Sequence, residues 1–477
     1  MDSKIDSKSN ISTLSTLSSH KDRKHDTIPF RLDFIKILLE GKELDNIIYD
    51  KTLDTEAFIN PYSSSDDEKT KDTKYVLNKK LKNFYSVINK LGGKLQYVKS
   101  GTTGHTFKGI ISSPEGGNLH YGVKVVAYPK RERYGNMYNI DRPENAELMM
   151  IRLLSYFVVK KQTPHIILPI ATFNTDIKPF VSLIENSIVP EENRKYKEFI
   201  ERYKKGDYFN TVSILVSEWA NKGDLLDYLR NNYKQFTPMC WKVIFFQLIS
   251  VLAVIQSKYP SFRHNDLKAN NVLLHKVVKK KSCYSYKVNG QKFKIPSIGY
   301  QIKIWDFDFA CIPDVVNNSK VSDNWTTKIN VNPEQNRYYD MHYFFNTLIK
   351  KGFFPQFMLD PEIPKESKDF VNRIVPKKYQ KGQYVSDKGR ILINKEYLIP
   401  RDVLMEDPYF DEFRVKDIDT QTQASNKILT TSNYQSDLKI NPKIDKIIKT
   451  KKSEHNRKVK KIKIESSEDV LIPETSD

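Results

Sequence analysis

The rhythm of apolar and polar positions divides the chain into stretches of different character. Over about the first 75 residues Ser, Lys and Asp prevail, and Ser63-Ser64-Ser65-Asp66-Asp67-Glu68 reads as a solvated acidic run. Residues 30–40 interrupt this polarity. There Phe30, Phe34, Ile37 and Leu38 fall on one face of a helix suited to docking on a larger body. From about residue 80 shorter runs take over. Residues 95–99 alternate apolar and polar, Ser100-Gly101-Thr102-Thr103-Gly104 turns the chain, and residues 105–111 return as a strand. A β-branched run at 121–128 carries Lys124 at its centre. Residues 143–159 switch to helical spacing through Leu148, Ile151, Leu154 and Tyr156, with Glu144 and Glu147 in the opening turns. Apolar runs at 166–168 and 212–216 read as further strands.

Helices then dominate. One begins near Asp224, and residues 238–257 form a nearly all-hydrophobic helix with proline in its first turn, the expected buried spine of this half. Residues 275–299, rich in Lys, Tyr and Gly, read as an inserted surface hairpin, and helical spacing returns at 338–349. Strands interrupted by one helix and followed by helices predict an α+β fold, bilobal, with an antiparallel sheet in the first lobe and a mainly helical second. The expected divisions are a mostly disordered extension at 1–79, a sheet lobe at 80–217, a helical lobe at 218–414 and a basic disordered tail at 415–477.

Composition narrows the function classes. A chain of 477 residues can bury one large bilobal domain or two ordinary ones. With 78 basic against 58 acidic residues the net charge is +20, which favours an anionic partner such as nucleic acid, a membrane surface or acidic substrate segments. The tail at 415–477 holds 13 basic against 10 acidic residues, and its basic ones are clustered. Lys439, Lys443, Lys446, Lys449, Lys451 and Lys452 form one cluster, and Asn456-Arg457-Lys458-Val459-Lys460-Lys461-Ile462-Lys463 a second that also fits a nuclear-import signal. The tail is therefore the expected polyanion contact. Three cysteines, Cys240, Cys283 and Cys311, show no paired spacing, which argues against a disulfide framework or zinc site and for a reducing compartment. No apolar run is expected to span a bilayer, and the first 24 residues lack the apolar core of a secretory signal. The expectation is a soluble, intracellular, cytoplasmic protein, with its oligomeric state left open.

The chemistry concentrates in Arg263-His264-Asn265-Asp266-Leu267-Lys268-Ala269-Asn270-Asn271, which runs into the apolar Val272-Leu273-Leu274. A polar loop feeding a buried strand would turn Asp266 outward as a base, set Lys268 beside it as a cation, and leave Asn271 to ligate a metal. Phosphoryl transfer needs those three tasks done together. The loop resembles the H-R-D-L-x-x-x-N catalytic loop of protein kinases, with Asn265 in the arginine's place.

Four other stretches resemble kinase motifs in the right order. Residues 99–107 are similar to the glycine-rich loop through Gly101 and Gly104, with Lys99 replacing its first glycine and Thr106 its valine. Tyr121-Gly122-Val123-Lys124 resembles the V-A-I-K strand, whose lysine reaches the α- and β-phosphates. Its carboxylate partner would be Glu147, with Glu144 on the same helical face as competitor. Residues 215–225 look like the hinge between lobes, so the resemblance implies that the backbone of Glu218 and Ala220 meets adenine and Asp224 the ribose, with the small Ser217 guarding the back pocket. Ile304-Trp305-Asp306-Phe307-Asp308 is similar to the D-F-G turn, with Asp308 in the glycine's place and Asp306 implied as a metal ligand. Asp308 reads either as a surface acid or as a modifier of the metal site. Asn332-Pro333-Glu334 is weakly similar to A-P-E, and Asp340 to the buried helix aspartate that braces the catalytic loop.

The departures resemble the divergent serine/threonine kinases of poxviruses and giant DNA viruses. That resemblance implies transfer of the ATP γ-phosphate to protein Ser/Thr hydroxyls, with Mg2+ or Mn2+ as cofactor, Asp266 and Lys268 as catalytic residues, and association with the virion as an alternative location. Two rival readings stand beside it: a small-molecule kinase of the choline or aminoglycoside type, and a non-catalytic pseudokinase scaffold.

Overall fold

The alternating runs assemble into a five-stranded antiparallel sheet. Its strands are β1 (Lys94–Ser100), β2 (His105–Ser112), β3 (Asn118–Pro129), β4 (Pro169–Asp176) and β5 (Tyr208–Glu218), in the order β1-β2-β3-β5-β4. This computed structural model describes residues 27–49, 71–112, 118–277 and 282–416. The acidic run at 63–68 and the basic tail beyond 416 lie outside the described residues. The central β3 is buried on both faces through Tyr121, Val123, Val125 and Val126, as befits a strand between two others with a helix packed behind it. The run at 166–168 is not itself a strand. An isolated bridge joins Ile166 to Ile304 there, and β4 starts at Pro169.

The helices, with single-turn helices left unnumbered, are α1 (Ile28–Leu39), α2 (Phe84–Leu91), α3 (Pro143–Val159), α4 (Arg194–Lys204), α5 (Leu225–Asn232), α6 (Pro238–Lys258), α7 (Tyr339–Ile349), α8 (Lys365–Ile374) and α9 (Pro400–Glu406). Helix α6 starts on Pro238 with the Thr237 hydroxyl accepting from the Cys240 N–H at 3.3 Å. It buries nearly every side chain from Trp241 to Gln256. Contrary to the expectation drawn from apolar runs, α6 is long and apolar enough to cross a membrane by length and composition. Its apolar surface is instead covered by α9, α8 and β9 (Tyr300–Ile304), the pattern of a core helix hydrophobic all round.

Two expectations need correction. The described parts of the extension, residues 27–49 and 71–79, are ordered and packed. Helix α1 buries Phe30, Arg31, Phe34, Ile35, Leu38 and Leu39, so the apolar face is shifted from the expected one and Ile37 lies at its margin. Lys79 is fully buried, its Nζ donating to the Tyr128 hydroxyl (2.6 Å), Asn145 Oδ1 (2.9 Å) and Ser213 Oγ (2.7 Å). The apolar face at 30–40 is readable against the polar composition of the extension, whereas the packing of residues 71–79 is hidden by it. The insertion at 275–299 is likewise more than a surface hairpin. Its strands β7 (Cys283–Val288) and β8 (Gln291–Pro296), which follow β6 (Val272–Lys276), pack Tyr286 and Phe293 against Phe246 of α6 at ring distances of 5.3 and 5.1 Å. The Tyr286 hydroxyl also meets His165 Nε2 at 3.0 Å.

Candidate active site

The loop between α6 and β6 is shaped by one buried carboxylate. Asp340, at the start of α7, is wholly buried and accepts from the N–H groups of His264 (2.7 Å) and Asn265 (2.9 Å). Burial pushes its pKa up, while His264 and Arg263 oppose the rise. Asn265 sits at φ +63°, a left-handed conformation that Asn tolerates better than most residues. Its Nδ2 donates to the carbonyls of Phe309 (3.0 Å) and Asn332 (3.3 Å). Asn265 therefore ties the loop to both arms of the segment between Asp306 and Glu334. Arg263, fully buried, reinforces the second arm by donating to Asn332 Oδ1 (2.8 Å), the Glu334 carbonyl (3.0 Å) and the Asn330 carbonyl. Its guanidinium lies 3.9 Å over the Tyr339 ring.

Asp266 is held from three sides. Asn271 Nδ2 donates to its Oδ2 (2.8 Å) and to its main-chain carbonyl (2.9 Å). Lys268 Nζ lies 3.2 Å from Oδ2, and the Arg390 guanidinium pairs with Oδ1. Because Asn271 spends its amide group on Asp266, its carboxamide oxygen is turned away as a free hard donor. Both β6 and β9 anchor this region: they pair antiparallel, and the Trp305 N–H donates to the Asn271 carbonyl at 3.1 Å.

Lys124 on β3 reaches two carboxylates, Glu147 Oε1 at 2.6 Å and Asp306 Oδ1 at 2.7 Å. Glu147, rather than Glu144, is the partner. Glu144 is turned to Arg142, whose Nε lies 2.9 Å from its Oε2. Burial opposes the charge on Lys124, but Asp306 and Glu147 outweigh it and raise its pKa. Burial would likewise raise Asp306, yet Lys124 holds it down at about 2. Glu147 goes the other way: its burial, together with the charges of Asp306 and Asp308, exceeds the pull of Lys124. Asp306 takes φ +65°, backbone strain of the kind that persists where surrounding structure over-determines a side chain's aim. Asp308 is no surface acid. It is buried, and Lys320 pairs with it while lying 3.9 Å over the Phe309 ring.

The glycine turn closes over the cleft with the Gly101 N–H donating to the Gly104 carbonyl at 2.8 Å. A Cβ on Gly104 would lie 2.7 Å from the Val125 carbonyl oxygen, so only glycine lets this turn approach β3. Gly101 meets nothing closer than 3.5 Å. The expected hinge residues divide. The Glu218 N–H is spent on the Leu168 carbonyl (3.0 Å), and its carboxylate on Arg31 (Oε2, 2.8 Å), Lys303 (Oε1, 3.0 Å) and the Leu168 N–H (Oε1, 2.9 Å). Ala220 is buried, and no hydrogen bond from its backbone groups is seen among the described residues. Asp224 caps α5 by accepting from the Asp227 N–H (3.0 Å), and its second oxygen takes Lys99 Nζ (3.1 Å), which bridges β1 to the helical lobe. The Glu334 side chain is exposed and accepts from Asn394 Nδ2.

Asp266, Lys268, Arg390, Asp308, Thr102 and Thr103 line one cleft of about 880 Å3 between the two lobes. Sequence reasoning missed Arg390, Arg31 and Lys99. Arg390 carries no motif, Arg31 lies in a polar extension, and Lys99 stands where the glycine-rich loop has its first glycine.

Comparison with known proteins agrees with this geometry. Residues 132–406, more than half the chain, match the poxvirus serine/threonine protein kinase family. A protein of Acanthamoeba polyphaga mimivirus provisionally named as serine/threonine-protein kinase R400 is 50% identical over 345 residues, 71% of this chain and 73% of that protein. The serine/threonine-protein kinase 2 of Fowlpox virus is 27% identical over 251 residues, 51% of this chain and 50% of its own length. On the family match and the mimivirus relative together, this chain belongs to the poxvirus serine/threonine protein kinases.

Proposed function

We propose that the chain transfers the γ-phosphoryl group of ATP to Ser or Thr hydroxyls of protein substrates. The observation that carries this reading is Lys124 Nζ shared between Glu147 at 2.6 Å and Asp306 at 2.7 Å, where Asp306 follows Trp305, whose N–H donates to the carbonyl of Asn271, the residue that grips Asp266. Asp266 orients the substrate hydroxyl and takes its proton. Lys268, beside it, offsets charge on the transferred group. Lys124, fixed by Glu147, sets the nucleotide phosphates beneath the Gly101–Gly104 turn. Ala220 offers its free backbone groups to the base. Glu218, whose N–H and carboxylate are committed elsewhere, serves to stiffen the hinge, and Asp224 reaches a ribose only by giving up Lys99.

The donor set fits a hard divalent ion. The free carboxamide oxygen of Asn271 and the second carboxylate oxygen of Asp306 suit Mg2+ or Mn2+, which are commonly held by one or two carboxylates and substrate phosphates. Bound there, such an ion supplies charge neutralisation to the phosphates. Among the described residues no group of three His, Cys, Asp or Glu side chains is placed to hold an ion unaided.

The test is labelled ATP with Mg2+ or Mn2+, offered casein, a basic protein, choline and an aminoglycoside in parallel, followed by phosphoamino-acid analysis. Label on phosphoserine or phosphothreonine is expected. Label on choline or the aminoglycoside alone would favour the small-molecule reading, and thermal stabilisation by nucleotide without transfer would favour the scaffold.

A further inference from the structure

No sequence motif anticipates Arg390, yet it touches the proposed base. It lies 124 residues beyond Asp266, in a tight turn. In that turn the Gly389 N–H donates to the Ser386 carbonyl (2.8 Å), the Ser386 N–H to the Arg390 carbonyl (2.8 Å), and the Arg390 N–H to Ser386 Oγ (3.0 Å). Gly389 at φ +90° makes the turn possible, and its bare Cα lets the Lys350 side chain pass where a Cβ would stand 2.8 Å away. Asn346 of α7 holds the Gly389 carbonyl at 2.8 Å, and Asn330 holds that of Ile391 at 3.0 Å. The turn is thus fastened both to α7 and to the segment beyond Asp306.

From this rack the Arg390 side chain, 9% exposed, forks around the catalytic loop. One nitrogen pairs with Asp266 Oδ1. The other donates to the Asn265 carbonyl and lies 3.2 Å from the Tyr339 hydroxyl. The guanidinium stacks 4.3 Å over the Tyr343 ring. An arginine fork gripping a carboxylate and the carbonyl of the preceding residue fixes both the rotamer of Asp266 and the plane of the peptide that carries it. Asn271 and Lys268 already occupy the Oδ2 side. A substrate hydroxyl must therefore share an oxygen whose position Arg390 helps to set.

We infer that Arg390 is a positioning residue for phosphoryl transfer, holding Asp266 in its reactive orientation from the Ser386–Arg390 turn. Arg390 does not touch the transferred group. It acts through Asp266, and the inference rests on the assignment of Asp266 as base. A guard that must swing away is disfavoured by the fastening of the turn on both sides and by the buried stack on Tyr343.

The test compares Arg390→Gln and Arg390→Lys with wild type and Asp266→Asn, in steady-state peptide phosphorylation and thermal unfolding. For Arg390→Gln a kcat loss on the order of 10²-fold is expected, as for a misplaced reacting group. KM for ATP should stay within about twofold, because the nucleotide's contacts are untouched. Arg390→Lys keeps a cation near Asp266 but cannot grip both oxygens, so it should restore part of kcat, to roughly tenfold below wild type. If Arg390→Gln fails to fold, Arg390→Lys decides by the same split: reduced kcat with unchanged KM supports positioning, and wild-type kcat overturns it. A rise in kcat in either variant would show a guard and overturn the inference. Inactive Asp266→Asn beside fully active Arg390→Gln removes the positioning role alone. Fully active Asp266→Asn removes the base assignment on which it rests.

Discussion

Replacing Arg31 by Met should cost far more than a change in a polar extension ordinarily does. The Arg31 Nε lies 2.8 Å from Glu218 Oε2, and the same guanidinium donates to the carbonyls of Pro164 (2.8 Å) and Ile166 (2.6 Å). Lys303 is the second cation on Glu218, at 3.0 Å. Burial alone would raise the Glu218 pKa, but Arg31 and Lys303 pull it from 4.5 down to about 2. A depression of that size corresponds to about 3 kcal/mol of stabilisation of the folded state. Breaking a buried pair from one side typically costs about 3–5 kcal/mol, since it strands the remaining charge. The two routes meet at about 3 kcal/mol for Arg31→Met. Because the folded pKa of Glu218 is depressed, its contribution is fully present above pH 4.5 and is lost as pH falls towards about 2. The assay is urea denaturation of wild type, Arg31→Met, Glu218→Gln and the double variant, at pH 7 and at steps below pH 4.5. The coupling between the two sites should be large at pH 7 and shrink with acid. A loss below about 1 kcal/mol at pH 7, or a coupling that ignores pH, would refute the reasoning, since exposed pairs behave that way.

Glu147→Gln should lower kcat/KM on the order of 10²-fold by releasing Lys124 to Asp306 alone, whereas Glu144→Gln should leave nucleotide affinity unchanged; steady-state kinetics with ATP as the varied substrate separate the two. Gly104→Val should weaken ATP binding, read by titration, because its Cβ would collide with the Val125 carbonyl at 2.7 Å and push the turn off β3. Phosphatase treatment should leave the initial rate within about twofold, because a neutral Asn265 cannot pair with a phosphate as a charged donor would. Arg263 is already committed to residues 330–334.

Motif order made much of the active cleft legible, because the reacting groups sit in short local patterns: a polar loop before β6, a lysine on β3, an acid after β9. Local patterns could not place what comes from afar. Arg390 reaches Asp266 across 124 residues, and an isolated arginine in a glycine turn looks like any solvated loop. Arg31 escaped notice because Ser, Lys and Asp around α1 outweigh its short apolar stripe, although Phe30, Phe34 and Leu38 were readable as a docking face. The resemblance to a kinase hinge suggested Glu218 as a backbone contact. The burial of its carboxylate between two cations is a tertiary fact that no local pattern shows. The length and apolar character of α6 were visible, and only its neighbours on every side show why no lipid is needed to bury it.

The central claim is that Asp266 serves as the base for transfer to a protein hydroxyl. Single-turnover phosphorylation of a protein acceptor by wild type and Asp266→Asn, with nucleotide binding measured on the same samples, tests it most directly. The account predicts unchanged nucleotide affinity and a loss of transfer on the order of 10²-fold or more. Transfer by Asp266→Asn at the wild-type rate, with nucleotide bound equally well, would contradict it.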